Sequence, residues 1–516
     1  MGSRRRRGRS TSLSLVAACT AAVMLGLGVA AAFGPASAAA GGPARASDAP
    51  NFLLIQVDDQ ARNSFKPKFM PQTFERIVDP GTFFTDGLAA PPLCCPDRAG
   101  VLTGEYPHDH GVYSNDPGYP DLQDPQDTLP VWLRNAGYRT ALIGKFLNGY
   151  TDVAGTAPAP GFDRWFSFLF FPRYYDYRVS DDGRVRTYGG RRSQYSTDVL
   201  TRHARRFLRD AGRSRHPFFL WLAYNAPHGG TSRLHPCQVG QAAAPPGRAV
   251  YRRFAHSALP RPPSFNEPNV SDKPAAISSL APLGPGGIRR IRHIWRCGLG
   301  AVSELDKGVG RVMSELRGAG ELRKTIVFYL SDNGFFFGEH RLAAGKSDVY
   351  EPALNVPYAV RVPAAYRRGA APPRRHAVVT NQDVAPTMID YASRYLNPIQ
   401  TCAAPGDCRR MDGRSLAPLL SGPGRWPHGR GVLAEIADQP RADYHAIRTP
   451  RYVYSELATG ERELYDLHTD PFELQNLAGD PADAQIQAEL AVRLARLESC
   501  SGVAGRDPAT AAPFCE

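Results

Sequence analysis

The sequence predicts an α/β fold, a large and mostly parallel sheet flanked by helices, followed by a smaller C-terminal α+β subdomain. Three observations predict it. Four short apolar runs, 51–57 (NFLLIQV), 139–143, 218–223 (FFLWLA) and 325–330 (TIVFYL), each end in polar or charged residues. Continuous runs of this kind suit strands buried on both faces of a parallel sheet. Amphipathic helical patterns lie between them, at 127–136, 198–211 and 289–318, the last read as one long helix or two. Strand alternating with helix is the α/β pattern.

The elements follow in order. Five arginines (Arg4, Arg5, Arg6, Arg7, Arg9), an apolar run over 13–29 and Ala36-Ser37-Ala38 read as a secretory signal peptide over 1–38. Its arginine pairs leave a twin-arginine route open, and Cys19 offers lipoprotein processing as the lesser alternative. No later segment is long and apolar enough for a stable membrane span. The protein is therefore expected to be secreted or otherwise extracytoplasmic, with one large domain over 49–420. Within it, 229–287 is rich in Pro, Ala and Ser and reads as an irregular insertion that shapes a pocket. From 421 to 516 the pattern changes to short antiparallel strands (432–436, 444–448, 451–456, 463–467) and a helix over 482–497.

The net charge is +13 and falls by five to +8 without the leader's arginines. A basic exterior attracts anions, but an arginine-preferring composition accounts for the excess equally well, and no nucleic-acid motif is present. Nine cysteines include Cys19, the pair Cys94-Cys95 and six others, an even number that suits disulfides in an exported chain. The economical pairing is Cys402–Cys408, Cys500–Cys515 and Cys237–Cys297. The spacings match no zinc pattern.

The strand ends carry the chemistry. Asp58-Asp59 and Asp332-Asn333 offer three carboxylates and an amide, an all-oxygen shell suited to Ca²⁺, with Mg²⁺ as the alternative. Either pair alone would more often be a turn or a cap. Cys94 precedes a helix expected to begin near Arg98, where N–H groups and the helix dipole favour an anion. Buried thiols or a Cys94–Cys95 disulfide are the plain alternatives. Arg98, Lys145, His228 and Lys346 supply cations and an acid for an anionic ester and its departing oxygen.

Seven segments in order, VDDQ (57–60), CCPDRAGVLTGEYPHDHGV (94–112), GKFLNGY (144–150), APH (226–228), SDNG (331–334), GEHRLAAGKSDVYEPALNVP (338–357) and LYDLHTDPFELQNLA (464–478), resemble the formylglycine-dependent sulfatases. Within that family the double cysteine, YPHDHGV and GKFLN are most similar to the N-acetylglucosamine-6-sulfatase group and its bacterial relatives. The resemblance implies an alkaline phosphatase-like fold and hydrolysis of a sulfate ester, of a sugar or an aryl alcohol. It implies that a formylglycine-generating enzyme converts Cys94 to Cα-formylglycine. Asp58, Asp59, Asp332, Asn333 and the modified Cys94 would bind Ca²⁺. Arg98 and Lys145 would hold the hydrated aldehyde, while His228 and Lys346 bind sulfate and protonate the leaving oxygen. Two departures stand out. Asp97 replaces a common serine, an extra anion beside an anion site that would either slow turnover or point away, and Leu147-Asn148 stands where arylsulfatases carry a histidine two residues after the lysine. His340 is a candidate substitute. A phosphate or phosphonate monoester hydrolase of the same superfamily is the nearer rival, and an inactive binder of sulfated glycans, resting on Asp97, is the other.

Overall fold

The computed structural model describes residues 48–516 except 231–236, 239, 397–398, 405–406, 427–428, 438–440, 442 and 509–510. The leader expected over 1–38 lies outside the described residues, Cys19 included.

Ten strands form one sheet: β1 (Asn51–Asp58), β2 (Thr82–Leu88), β3 (Arg139–Gly144), β4 (Arg164–Phe168), β5 (Tyr177–Asp181), β6 (Arg184–Tyr188), β7 (Phe218–Pro227), β8 (Thr325–Ser331), β9 (Tyr358–Arg361) and β10 (Arg374–Thr380). Their order is β10-β2-β9-β8-β1-β7-β3-β4-β5-β6. The run from β8 through β1, β7 and β3 to β4 is parallel throughout. Antiparallel pairing is confined to β9, which sits between β2 and β8, and to the β4-β5-β6 flank. The four apolar runs are the four consecutive central strands, and β1 and β8 are buried along their whole length. Alternate residues feed two cores. Phe52 and Leu54 pack with Trp221 and Leu142 on one face, and Leu53 and Ile55 pack with Tyr224, Val302 and Leu305 on the other. Truncating any of these to alanine should cost about 2–5 kcal/mol.

The expected helices form at Leu129–Asn135, Ser196–Ala211 and Pro285–Gly318; the last is a single helix of 34 residues. It lies close against Ser196–Ala211 because Gly308 has no side chain. A Cβ there would meet Thr201 Oγ1 at 2.8 Å and Tyr224 Oη at 3.0 Å. The 229–287 segment carries two short helices, Arg248–Phe254 and Ala275–Ser278, and is tied to the long helix by the Cys237–Cys297 disulfide.

At the C-terminus a two-stranded ribbon, β11 (Cys402–Ala404) and β12 (Asp407–Cys408), precedes a four-stranded antiparallel sheet in sequence order. That sheet comprises β13 (Val432–Ile436), β14 (Tyr444–Arg448), β15 (Tyr452–Leu457) and β16 (Arg462–Asp466). Helix Ala484–Leu497 buries Leu490 and Leu494 against it, in a cluster that also takes in Tyr106 and Val378. Cys500 and Cys515 are bridged. The expected Cys402–Cys408 bridge involves a side chain outside the described residues. No described helix is long and apolar enough to cross a membrane.

Candidate functional site

Four strand ends and one helix start converge. Cys94 opens helix Cys94–Thr103, whose last turn ends in the left-handed Gly104. The helix begins here because Leu93 is extended and its carbonyl accepts from Asp97 N at 3.0 Å. Cys94 Sγ lies 3.5 Å from Asp58 Oδ1, 3.6 Å from Asn333 Oδ1 and 2.8 Å from Lys346 Nζ. Lys145, just beyond β3, places Nζ 2.8 Å from Asp58 Oδ2. Lys346 Nζ also bonds Asp59 Oδ1, which accepts from Asn333 Nδ2 at 2.7 Å. Arg98 grips Asp332 Oδ2 through Nε (2.9 Å) and Nη2 (2.8 Å), and donates to the Lys145 carbonyl at 3.1 Å. His228 Nδ1 is 2.6 Å from the Gly229 carbonyl, which fixes Nδ1 as donor and turns Nε2 toward Asp59 Oδ2 at 3.7 Å. Asp59 takes a left-handed φ of 63°, which directs the chain away from β1 just where the carboxylates are needed.

The electrostatics follow from this crowding. Burial pushes the Asp58 carboxyl up, but Lys145 and His228 outweigh it and hold it at about 2. Asp59 is likewise kept below its ordinary range, where Lys346 and His228 overcome burial. Burial drives the Cys94 thiol far up despite Lys145 and Lys346. At neutral pH the unmodified sulfur is therefore a protonated thiol, a poor nucleophile. Both lysines are held above their ordinary range because Asp58 and Asp59 outweigh their burial.

The donor set could hold a metal ion, with carboxylate oxygens from Asp58 and Asp59 at its centre. Ligand atoms of Asp58, Asp59, Cys94 and His228 all lie within 4.8 Å of one another, and Asn333 Oδ1 faces the same sulfur. Asp332 differs from the others in that Arg98 occupies its Oδ2 and Asp59 N reaches its Oδ1 at 3.2 Å. The cluster borders a cavity of about 370 Å³, lined by Asp59, His228, Lys346, Phe171, Asp348 and Arg441 among others. A larger cavity of about 960 Å³, lined by Phe65, Phe83 and Phe472, touches none of the residues around Cys94.

All nine expected site residues meet in this one place. His340 does not join them. Its ring stacks on Tyr350 at 4.3 Å and bonds Glu267 Oε2 at 2.7 Å. Asp97 points away from the cavity, and its carboxyl accepts from Gln56 Nε2 (3.0 Å) and Asn381 Nδ2 (2.8 Å). Burial, with Asp332 nearby, pushes Asp97 well above the carboxylate range. Asp97 thus faces the interior and not the anion site. Cys94 and Cys95 are both free, and Cys95 Sγ accepts from Asn148 N at 3.2 Å. Phe171 and Arg441 were not foreseen. Each sits in a connection without periodicity or motif, so only the tertiary structure brings it here.

The sulfatase family model matches residues 50–394. The chain belongs to the sulfatase family. This sulfatase is a sulfuric ester hydrolase, and residues 338–500 also match the model described as N-sulphoglucosamine sulphohydrolase, C-terminal. It is 29% identical to N-acetylglucosamine-6-sulfatase of Capra hircus, over 90% of this chain and 86% of the relative. It is 30% identical to an arylsulfatase of Volvox carteri, over 90% and 77%. A protein solved in complex with its substrate D-glucosamine-2-N,6-O-disulfate shares the fold with a TM-score of 0.70 and 24% identity, over 87% of this chain and 97% of that one. The phosphonate monoester hydrolase of Agrobacterium radiobacter shares it with a TM-score of 0.63 and 20% identity, over 86% and 95%.

Proposed function

We propose that this sulfatase is exported and hydrolyses sulfate esters of glucosamine-type sugars through Cys94 converted to Cα-formylglycine. The observation that carries the reading is the position of Cys94 Sγ, at a helix start, between two carboxylate-bearing strand ends and against Lys346. As its hydrate, the formylglycine would supply the oxygen that attacks sulfur. Ca²⁺, or Mg²⁺, held by Asp58, Asp59, Asp332 and Asn333 would supply positive charge beside that oxygen and a sulfate oxygen.

The chain's own residues do the rest. Lys145 and Arg98 fix Asp58 and Asp332, so the modified side chain meets a rigid wall. Lys346 Nζ faces the place where sulfate oxygens would gather. His228, oriented through Nδ1, presents Nε2 to deliver a proton to the leaving oxygen. The division into a catalytic domain over 49–420 and a subdomain over 421–516 belongs to the same reading, as do the signal peptide over 1–38 and the formylglycine-generating enzyme as maturation partner. Support for a sugar ester comes from the N-acetylglucosamine-6-sulfatase relatives.

Two measurements test it. Peptide mass spectrometry across 94–98, on protein made with a formylglycine-generating enzyme, should find conversion at Cys94 and none at Cys95. Matched sulfate and phosphate monoesters should then be turned over with a clear preference for sulfate. A preference for phosphate would transfer the site to the phosphonate hydrolase branch, and an unconverted Cys94 would leave a glycan binder.

A further inference from the structure

The positive charge of this chain gathers in a few segments, and the most basic of them also shares one surface. Residues 184–216 carry ten arginines against Asp198 and Asp210, a net +8. The whole chain outside its first 38 residues carries +8 as well, so all other residues together are balanced. Residues 248–296 and 361–375 are basic too, with net +7 and +5.

The fold gathers this segment on one outer surface. β6 is the edge strand, and Arg184, Val185, Arg186 and Thr187 are all exposed. Helix Ser196–Ala211 buries Val199, Leu200, Ala204, Phe207 and Leu208, leaving Arg202, Arg206 and Arg209 to follow one another at helical spacing outside. The two elements are joined at Tyr188, whose hydroxyl lies 3.5 Å from His203 Nε2 and feels the charges of Arg186, Arg202 and Arg206. Some of the arginines are neutralised. Arg192 pairs with Asp198 and Glu304, Arg205 and Arg209 with Glu315, and Arg186 with Asp181. Among the described residues, Arg184, Arg191, Arg202, Arg206, Arg213 and Arg215 have no carboxylate within ion-pair distance. On β5, beside β6, Arg178 lies 5.7 Å over the Phe170 ring, and the next residue, Phe171, lines the cavity and meets His228 edge-on at 5.1 Å.

We propose that the surface formed by β6 and helix Ser196–Ala211 docks a sulfated glycan chain, holding the polymer while one of its sugars occupies the cavity at Cys94. The inference rests on the proposed glycan substrate. Unpaired guanidinium groups in a row match sulfate groups repeated along a chain, since each offers a planar pair of donors to an oxyanion. Binding of this kind releases counterions and falls steeply with salt.

The test uses a fluorescein-labelled heparin oligosaccharide and the full chain carrying Cys94→Ala, so that the ligand is not desulfated. Removing two charge contacts with Arg202→Ala/Arg206→Ala should weaken binding on the order of 10- to 20-fold at physiological salt. It should also flatten the logarithmic salt slope by roughly 1.5 to 2. Arg184→Ser/Arg191→Ser, outside the helix, should lose a similar amount, which separates a lost contact from a misfolded helix. In the chain retaining Cys94, both double variants should keep the wild-type kcat on 4-nitrophenyl sulfate. Wild-type heparin affinity in both would overturn the proposal, as would equally tight binding of a DNA duplex of matched charge. Arginine-dependent heparin binding in a protein that turns over no sulfate ester would instead remove the proposed chemistry and leave the docking surface.

Discussion

Lys145 and Lys346 flank Cys94 and are anchored in different ways. Lys145 follows directly from a central strand, and its partner Asp58 ends the neighbouring β1-β7 pair, so the sheet itself sets their 2.8 Å separation. Lys346 sits between Gly345 (φ 124°) and Ser347 (φ 85°), in a loop that no sheet supports. Its carbonyl is held by Arg441 Nη2 at 3.1 Å, and Arg441 Nε reaches Asp348 Oδ1 at 2.6 Å. Farther along, Tyr350 Oη donates to Glu463 Oε1 on β16 at 2.7 Å. One half of the site is therefore built by the large sheet, and the other is pinned by the C-terminal one. A half made by hydrogen-bonded strands should resist perturbation until it breaks, whereas a pinned loop should be adjustable.

Changes at Cys94 should have the largest effect, because both halves converge on it. Cys94→Ala should lower kcat on an aryl sulfate by about 10³-fold or more, with the urea midpoint nearly unchanged; a residual rate near wild type would detach the chemistry from this residue. Lys145→Ala breaks the sheet-built half. It leaves Asp58 buried without its nearest cation and should cost about 3–5 kcal/mol in urea unfolding as well as activity. Stability equal to that of Lys346→Ala would erase the contrast.

The pinned half should respond to pH through Glu463. Burial raises its carboxyl to about 7, against the hydrogen bonds from Tyr465 and Tyr350. The native state then keeps a proton that the unfolded chain gives up above the usual carboxylate range. Stability should fall as pH rises toward 7 and level off beyond it, by at most about 3 kcal/mol. Glu463→Gln should flatten that dependence, and a parallel curve in the variant would show that another group sets it. The smallest change is expected from Arg441→Ala, which frees the Lys346 carbonyl. About a 10-fold drop in kcat with an unchanged unfolding midpoint fits a loosened loop, and partial recovery in Arg441→Lys would point to charge rather than the guanidinium fork.

The same division explains what could be read from the sequence. The central strands are apolar on both faces, so their residues stand out as unbroken runs, and the polar residues that follow them are the sheet-built half of the site. The flank β4-β5-β6 was missed because it is short, partly exposed and rich in arginine, without an alternation that declares a strand. Lys346 was found only through the segment around it, since nothing in its own pattern places it beside Cys94. Arg441 was not found at all, because its distance in sequence from Lys346 gives no hint of contact. The direction of the Asp97 side chain is not legible in the sequence for a related reason. A helix start has two sides, and position alone does not say which of them faces the ligand.

The exposed strand β6 has one further consequence. A sheet edge with free backbone groups invites another strand to pair with it, which is a route to aggregation. Arg184 and Arg186 project from this edge into water, and two copies approaching edge to edge would bring like charges together. The charge that makes this flank sticky toward polyanions thereby keeps identical molecules apart, so thinning out these arginines should trade glycan affinity against solubility.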